Sequence, residues 1–278
     1  MGTPREPVAR TCLLFLVAAA GLVACDTIEA RARAKDAAAA YARGRYEEAA
    51  EIYGAAAHRD PELATLWLNR GFACLQLVKA QRPAFASCAL ESFRTFARLA
   101  PNDPRGREYL LATLVAGELY EDAKILLGPE IDRDGPSIEA ISVLSQIAQK
   151  VGHFDDALDL AGRRAQVEAN DPAAHQAIGS LIWDYLYRHA DVPTERRLAL
   201  ADRAVEALSR ATELSPHAPE PLVFRGLIWR ERARAHTCDL DAGSTDSEGC
   251  ERRATDLSQA AKDADAARIR QGKKDGGT

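Results

Sequence analysis

The sequence predicts an all-α protein built as a tandem array of helix pairs, and three observations support this prediction. No stretch of the 278 residues shows the sustained apolar/polar alternation that marks a half-buried strand. Breaks rich in glycine, proline and aspartate return about every 10–25 residues, which suits helical hairpins. The same residue types also return at matching places along the chain, which is the sequence signature of a repeat protein.

The repeat is read from small residues at two places of each unit. Six units start at Ala30, Ala64, Pro104, Ile138, Pro172 and Pro219, with 34-residue steps except that units two and five are six and thirteen residues longer. The twentieth place holds Ala49, Ala89, Ala123, Ala157 and Ala204. The eighth place holds Ala37, Gly71, Leu111, Ser145, Gly179 and Gly226, which are small in five of the six units. Small residues at both places predict two closely packed antiparallel helices per unit.

The stretch GRYEEAAEIYGAAAHRDP, residues 44–61, shows what the other places do. Gly44 turns the chain between two helices, Tyr46 fills the space beside the small residues, and Pro61 ends the second helix. Gly152 and Phe154 repeat the first two roles in unit four. The spacing of these residues therefore reflects helix turns and packing rather than catalysis.

At these residues the chain resembles the tetratricopeptide repeat family. The matching segments are Gly44-x-Tyr46-Glu47-Glu48-Ala49, Gly152-x-Phe154-Asp155-Asp156-Ala157 and Trp67-x-x-x-Gly71. The resemblance covers residues 30–269 and implies a right-handed superhelical solenoid of about six helix pairs that binds a protein or peptide on its concave face. In unit six we expect only a weak second helix (Glu251–Ile269), followed by a disordered tail at 270–278.

The start of the chain has the features of an export signal. Arg5 and Arg10 precede an apolar run, Leu13–Ala24, that is too short to span a membrane. The run ends in Leu22-Val23-Ala24-Cys25, which resembles the lipobox of bacterial lipoproteins. This implies a cleaved signal peptide at 1–24, a lipidated Cys25 and a short linker at 25–29. An ordinary secretory signal with a chance cysteine is the alternative.

Export to an oxidising compartment favours disulfides among the cysteines that remain. Cys74 and Cys88 lie equally far from the turn of unit two, and Cys238 and Cys250 equally far from the turn of unit six. We expect these two pairs to form disulfides. Buried free thiols are the alternative for the first pair, and a zinc site that includes His236 is the alternative for the second.

The sequence carries no motif that indicates catalysis. The six histidines lack metal-site or triad spacing, and no glycine-rich phosphate loop is present. Paired acids such as Glu47-Glu48 stand at the start of second helices, where they favour the helix dipole. We therefore expect no enzyme and no cofactor, and the formal net charge of −5 argues against nucleic acid as a partner.

The candidate binding residues follow from the family geometry, in which the first helix of each unit faces the concave side. The aromatic stretch 183–189 extends the first helix of unit five, and its Trp183 and Tyr187 lie four residues apart. These two either bind a partner or pack the extension. The predicted partner-binding residues are Leu68, Phe72, Leu75, Gln146, Gln149, Lys150, Gln176, Ser180, Trp183, Tyr187, Leu227 and Arg230.

Together these features predict a lipid-anchored scaffold in the bacterial cell envelope that faces the periplasm and binds a protein partner. Two alternatives stay open at this stage. One is an assembly factor for outer-membrane machinery, of the kind that escorts secretins or barrel proteins. The other is an accessory subunit of an envelope enzyme. Which membrane would hold the lipid is also open.

Overall fold

A computed structural model of the chain describes residues 27–238 and 247–275, and every regular element within these ranges is helical. The signal peptide expected at 1–24 and the lipidated Cys25 lie outside the described residues. The helices are α1 (27–42), α2 (Tyr46–Arg59), α3 (Ala64–Lys79), α4 (Ala86–Leu99), α5 (Arg105–Ala116), α6 (Tyr120–Ile131), α7 (Ile138–Lys150), α8 (Phe154–Val167), α9 (Pro172–Arg188), α10 (Thr194–Leu214), α11 (Glu220–Ala235) and α12 (Ser247–Asp275), with a 3₁₀ turn at Pro83–Phe85.

The helix starts agree with the repeat found in the sequence. α3, α7 and α9 begin at the first residue of units two, four and five, and α5 and α11 begin one residue after the expected start. Local chemistry explains two of these starts. The Ser137 hydroxyl accepts a hydrogen bond from the backbone N–H of Ala140 at 3.2 Å, and the Asp171 carboxylate accepts one from Ala173 at 3.0 Å. Both side chains thus pair an N–H that lacks a partner in the first helical turn.

The helices form two compact units, divided between Ala123 and Lys124 within α6. We call them the first unit and the second unit, as distinct from the repeat units one to six. The sequence predicted one repeat domain over 30–269. In the first unit each helix from α2 to α5 contacts the next along the chain. In the second unit the same holds from α7 to α12, and α9 also contacts α11. Each unit is thus a stack of antiparallel helix pairs.

The repeated small residues lie where the two helices of a pair meet. A Cβ atom added to Gly71 would come within 2.6 Å of the Phe93 ring, and one added to Gly179 within 2.3 Å of Leu208. Both distances are too short for real contacts, so these helices approach more closely than any side chain permits. The alanines at the twentieth place are all fully buried: Ala49, Ala89, Ala123, Ala157 and Ala204.

Two glycines turn the chain between helices as expected. Gly44 and Gly152 have φ angles of +75° and +81°, in the left-handed region that side chains disfavour. The following residues close the turn, because Arg45 N–H donates to the carbonyl of Ala40 at 3.0 Å and His153 N–H to that of Ala148 at 2.8 Å. Such bonds pair carbonyls that the helix end leaves free.

Two disulfides tie hairpins together. Cys74 in α3 is bonded to Cys88 in α4, with a Cα–Cα distance of 6.0 Å, and Cys238 is bonded to Cys250 in α12, with a distance of 4.7 Å. Both are the pairs expected from the sequence. The second joins the chain just after α11 to the first turn of α12, so it fixes the start of the last hairpin.

Charged pairs link the two helices of the last hairpin. Arg225 on α11 donates to both carboxylate oxygens of Asp263 on α12, at 2.8 and 2.6 Å. Asp256 on α12 is almost fully buried and lies 3.4 Å from Arg232 and 3.1 Å from the ring nitrogen of His236. Burial raises the pKa of the Asp256 carboxyl, against the opposing effect of the two neighbouring basic groups.

Several expectations about element ends are wrong. The linker expected at 25–29 is helical from residue 27 onward, and the tail expected at 270–278 is helical through Asp275. The weak second helix of unit six is in fact the longest described helix, with 29 residues. Its buried positions are alanine and aspartate, so a search for large apolar residues underrates it. Gly128 and Pro129, which would ordinarily break a helix, lie inside α6.

Close helix contact at Gly179 can be tested by adding one methyl group. Gly179→Ala should lower the free energy of unfolding by about 1–3 kcal/mol, because Leu208 has no space to move into. Gly272→Ala is the control: it is also helical, nothing lies within 4 Å of its added Cβ, and it should not destabilise the protein. Urea unfolding of both variants measures this, and equal effects would refute the packing argument.

The buried Asp256 carboxyl predicts a pH dependence of stability. Its pKa is raised in the folded state, so its contribution is complete below the unfolded-state value of about 4 and is lost as pH rises through the folded value. The melting temperature of the wild type relative to Asp256→Asn should therefore fall as pH increases from about 4.

Asp103 provides the control of opposite sign. Hydrogen bonds from Arg105 hold the pKa of the Asp103 carboxyl below its usual value, so its contribution is present above about 4 and is lost as pH falls. The wild type relative to Asp103→Asn should gain stability with rising pH, and by a smaller amount because this pair is exposed. The same sign for both aspartates would contradict the assignment.

Candidate functional site

The second unit carries nine of the twelve predicted binding residues, and its α9–α10 hairpin is extended. α9 and α10 have 17 and 21 residues, against 13 and 14 in α7 and α8, so the thirteen-residue insertion lengthens both helices. The extension of α9 carries aromatic side chains on two sides. One side faces α8 and the other faces α11.

On the first side, Tyr185 is held by a stack of rings. Its ring lies 3.7 Å from that of Phe154 at the start of α8, with nearly parallel planes, and 4.6 Å from the imidazole of His189. The guanidinium of Arg196 lies 5.9 Å from the Tyr185 ring and is itself paired with Asp155 at 2.7 Å. These contacts fix the ring before any partner arrives, which lowers the entropy cost of binding.

On the second side, Trp183 and Tyr187 stack on each other at 5.4 Å. Trp183 also meets Phe224 on α11 edge to face at 5.8 Å, is half-buried and packs against the core of the unit. Tyr187 is 65% exposed. The two residues therefore differ: Trp183 contributes to packing, whereas Tyr187 presents an aromatic ring to solvent.

Two small cavities lie along α7 and α9. One of about 160 Å³ is lined by Gln146, Gln149 and Ala177 among others, and one of about 220 Å³ is lined by Gln149, Lys150, Leu181 and Tyr185 among others. Gln149 borders both, so the two cavities are neighbours, and we call them together the α7–α9 groove. Amide, cationic, aliphatic and aromatic groups line it, a mixture that suits a peptide segment.

A buried arginine ends α9 and joins three helices. The guanidinium of Arg197 on α10 donates to the carbonyls of Leu186, His189 and Ala190 at 3.3, 2.8 and 3.3 Å, where the end of α9 leaves acceptors unpaired. It also pairs with Glu231 on α11 at 3.0 Å, and both side chains are at least nine-tenths buried. The positive charge also suits the negative end of the α9 dipole.

The sequence reasoning missed Arg197 and Glu231, although it contained a signal for them. Arg197 lies three and four residues before Leu200 and Ala201, which are buried on the inner face of α10. Glu231 lies three residues after the buried Ile228 on α11. A charge at an inner-face position of each of two helices predicts a buried pair, because neither charge is stable alone there.

The residues predicted in the first unit are mostly part of the core. Leu68 and Leu75 are only 4% and 3% exposed, so their assignment as partner-binding residues is wrong. Both lie on the side of α3 that packs against neighbouring helices. Phe72 is half-buried, with its ring edge-on to that of Tyr109 at 4.6 Å.

The residues predicted in the second unit reach the surface. Those exposed are Gln146, Gln149, Lys150, Tyr187 and Arg230. Those half-buried are Gln176, Ser180, Trp183 and Leu227. We call these nine residues the α7–α9–α11 face, after the helices on which they lie. Their role in binding stays a prediction. Leu181 and Tyr185, which border the groove, were not predicted, although Tyr185 belongs to the aromatic stretch noted in the sequence.

Larger cavities of the second unit lie elsewhere. One of about 690 Å³ borders Pro216 and Ile269, and one of about 510 Å³ borders Ile178, Arg203 and Ala207 between α8 and α10. Each is a gap beside the ends or outer helices of stacked pairs, where smooth packing stops. We favour the smaller α7–α9 groove because preordered aromatic and amide groups converge there.

Metal binding finds no support in the described part of the chain. No group of three or more His, Cys, Asp or Glu side chains is placed to hold a metal ion there. His236 contacts Asp256, and Cys238 and Cys250 are joined in a disulfide, so the zinc alternative does not apply. Residues 239–246, between Cys238 and α12, lie outside the described ranges. Within those ranges, no helix is long and apolar enough to cross a membrane.

These features define a class of protein. Antiparallel helix pairs, glycine turns with positive φ, and small residues at the eighth and twentieth places together define an α-helical repeat protein. No protein-family model matches the chain, and no curated protein matches it.

Solved structures similar to this chain include two TPR proteins, YrrB and TTC0263, and also MamA. "YrrB: a TPR protein with an unusual peptide-binding site" is 15% identical, with 81% of this chain and 99% of that chain covered at a TM-score of 0.40. MamA from Desulfovibrio magneticus RS-1 is 14% identical, with 88% and 97% covered at 0.34. TTC0263 from Thermus thermophilus is 19% identical, with 82% and 98% covered at 0.29. At these scores the likeness carries no argument, and the assignment rests on the helix pairs themselves.

The role of Arg197 can be tested against its neighbour in the sequence. Arg197→Ala should destabilise the protein by about 3–5 kcal/mol, because it leaves the Glu231 carboxylate buried without a counter-charge. Arg196→Ala is the matched control, since it removes an exposed ion pair with Asp155 and should cost about 0–1 kcal/mol. A double variant, Arg197→Met with Glu231→Met, should recover much of the loss. Chemical unfolding measures all three variants. An Arg197→Ala effect as small as that of Arg196→Ala would contradict the role given to Arg197 in joining the three helices.

Proposed function

We propose that this protein is a lipid-anchored adaptor of the bacterial cell envelope that captures a segment of a partner protein on the α7–α9–α11 face. The observation that carries the proposal is the exposed ring of Tyr187, supported from behind by Trp183 and Phe224. An exposed aromatic on a rigid aromatic base is typical of an anchor residue in a protein interface.

Two further features support a protein partner. The α7–α9 groove places the amide of Gln149 and the ammonium of Lys150 beside the ring of Tyr185, and such mixed surfaces hold extended or helical segments. Lys150 and Arg230 are exposed and have no ion-pair partner in the part of the chain that the structure describes, so they are available to acidic groups of a partner.

The cellular setting of the proposal rests on the sequence. The lipobox-like Leu22–Cys25 supports export and acylation, and two disulfides fit an oxidising compartment. The two finer alternatives are an assembly factor for outer-membrane machinery and an accessory subunit of an envelope enzyme.

Affinity purification from detergent-solubilised envelopes tests the proposal. The mature protein should carry acyl groups on Cys25, detected by its intact mass, and should retain a specific partner. A pore or barrel protein would favour the assembly factor, and a soluble enzyme would favour the accessory subunit. If every variant with a substitution on the α7–α9–α11 face still retained the partner, binding would not involve this face.

Two substitutions separate binding from packing. Tyr187→Ala should weaken partner capture by about 2 kcal/mol or more. It should change stability by no more than about 0.5 kcal/mol, because the side chain is largely in solvent. Trp183→Ala should lower both capture and stability, because it removes packing against Phe224 as well as the support for Tyr187. Full capture by a stably folded Tyr187→Ala variant would exclude this face.

A further inference from the structure

The first helix has a basic outer face that nothing in the described part of its unit covers. The outer face of α1 consists of Ile28, Arg31, Ala32, Lys35, Ala39 and Ala42, all of which are exposed. Their spacing of three and four residues places them on one side of the helix. The opposite side, with Ala30, Ala37 and Ala40, is buried. α1 therefore has one side in the core of the first unit and one side in solvent.

The charges on this face are unbalanced. Arg31 and Lys35 are exposed, and neither makes an ion pair or side-chain hydrogen bond within the described ranges. They lie four residues apart on the helix, where like charges repel. By contrast, Arg33 and Arg59 at the flank share the carboxylate of Glu29, at 2.9 and 2.6 Å.

Two more features bear on what covers the face. The nearest acid without a partner in the described residues, Asp36, lies at its edge rather than between the two cations. Ile28 is 69% exposed, next to the point where the helix begins. The face is thus positive along its length and apolar at its start.

The position of α1 in the chain indicates what this face meets. The helix begins at residue 27, two residues after Cys25, so an acyl group there would hold the start of α1 against the bilayer. We propose that the outer face of α1 lies on the anionic headgroups of the membrane that holds this lipid. The proposal rests on the acylation proposed above.

The physical basis is the attraction of basic side chains near a membrane to anionic lipids. Lys and Arg gain from proximity to such a surface, and an apolar side chain such as Ile28 adds contact with the acyl boundary. The acyl tether keeps the face at high local concentration, so a weak attraction is enough to orient the domain. The competing occupant is a second copy of the chain packed on the alanines of this face.

Lysine acetylation of the mature, acylated protein in lipid vesicles tests the orientation. In vesicles that contain phosphatidylglycerol, acetylation of Lys35 should be several-fold slower than in phosphatidylcholine vesicles, and about 0.5 M NaCl should remove the difference by screening. Lys150 on α7 is the internal control, since it is also exposed and has no ion-pair partner in the described residues. Its rate should be the same in both vesicles.

A second measurement does not depend on the acyl group. The unacylated chain that lacks residues 1–24 and carries Cys25→Ser should sediment with phosphatidylglycerol vesicles. Arg31→Gln with Lys35→Gln should weaken this about 30-fold, which equals about 2 kcal/mol for two charges near the surface. Arg94→Gln with Arg98→Gln is the matched control, because these arginines of α4 are also exposed, four residues apart and without ion pairs in the described residues. The control should sediment as the parent chain does.

Each outcome decides the proposal. Equal acetylation of Lys35 in the two vesicle types overturns it. Protection of Lys35 that rises with protein concentration in the absence of vesicles also overturns it, in favour of a second copy. If the mature mass shows no acyl group, the anchor fails but the face does not. Sedimentation then decides, and equal loss in the two double variants, or no binding at all, rejects the face.

Discussion

Close contact between helices at positions without a side chain is the constraint on which the rest of this structure depends. Gly179 leaves no room for even a methyl group against Leu208, and Gly71 leaves none against Phe93. Because the helices of a pair come this near, the next pair can stack on a nearly flat surface. Larger residues at these places would separate the helices and expose the alanines buried between them.

The second unit adds polar ties to this packing. Arg197 ends α9, pairs with Glu231 and so joins α9, α10 and α11. Arg225 and Asp263 do the same for α11 and α12. A buried ion pair contributes little net stability compared with apolar residues, but loss of one partner is costly. These pairs therefore favour one arrangement of the long helices over a shifted one.

The same arrangement gives the candidate binding face its shape. The lengthened α9 places Tyr185 against α8 and Trp183 against α11, so its aromatic rings are held from both sides. Of Trp183, Tyr185 and Tyr187, only Tyr187 has most of its side chain in solvent. The stiffness of the scaffold and the exposure of that ring thus have one cause, which is the thirteen-residue insertion in unit five.

Much of the fold could be predicted from residue spacing alone. Small residues at fixed places revealed the unit starts at Ala64, Ile138 and Pro172, because helix contact requires them whatever the surroundings. The two cysteine pairs followed from symmetry about their turns. The end of the chain was harder, because α12 buries alanine and aspartate, and their burial depends on Arg225, Arg232 and His236 on another part of the hairpin.

The sequence by itself determined the helix pairs, their order and the positions of their closest contacts, since these depend on local spacing and on glycine and alanine. Only the tertiary structure decided which side chains are available to a partner. Leu75 and Gln149 both hold the twelfth place of their repeat units, yet one is in the core and the other is exposed. The difference arises because exposure depends on what the neighbouring helices cover, and helix length and buried charges such as Arg197 set that coverage.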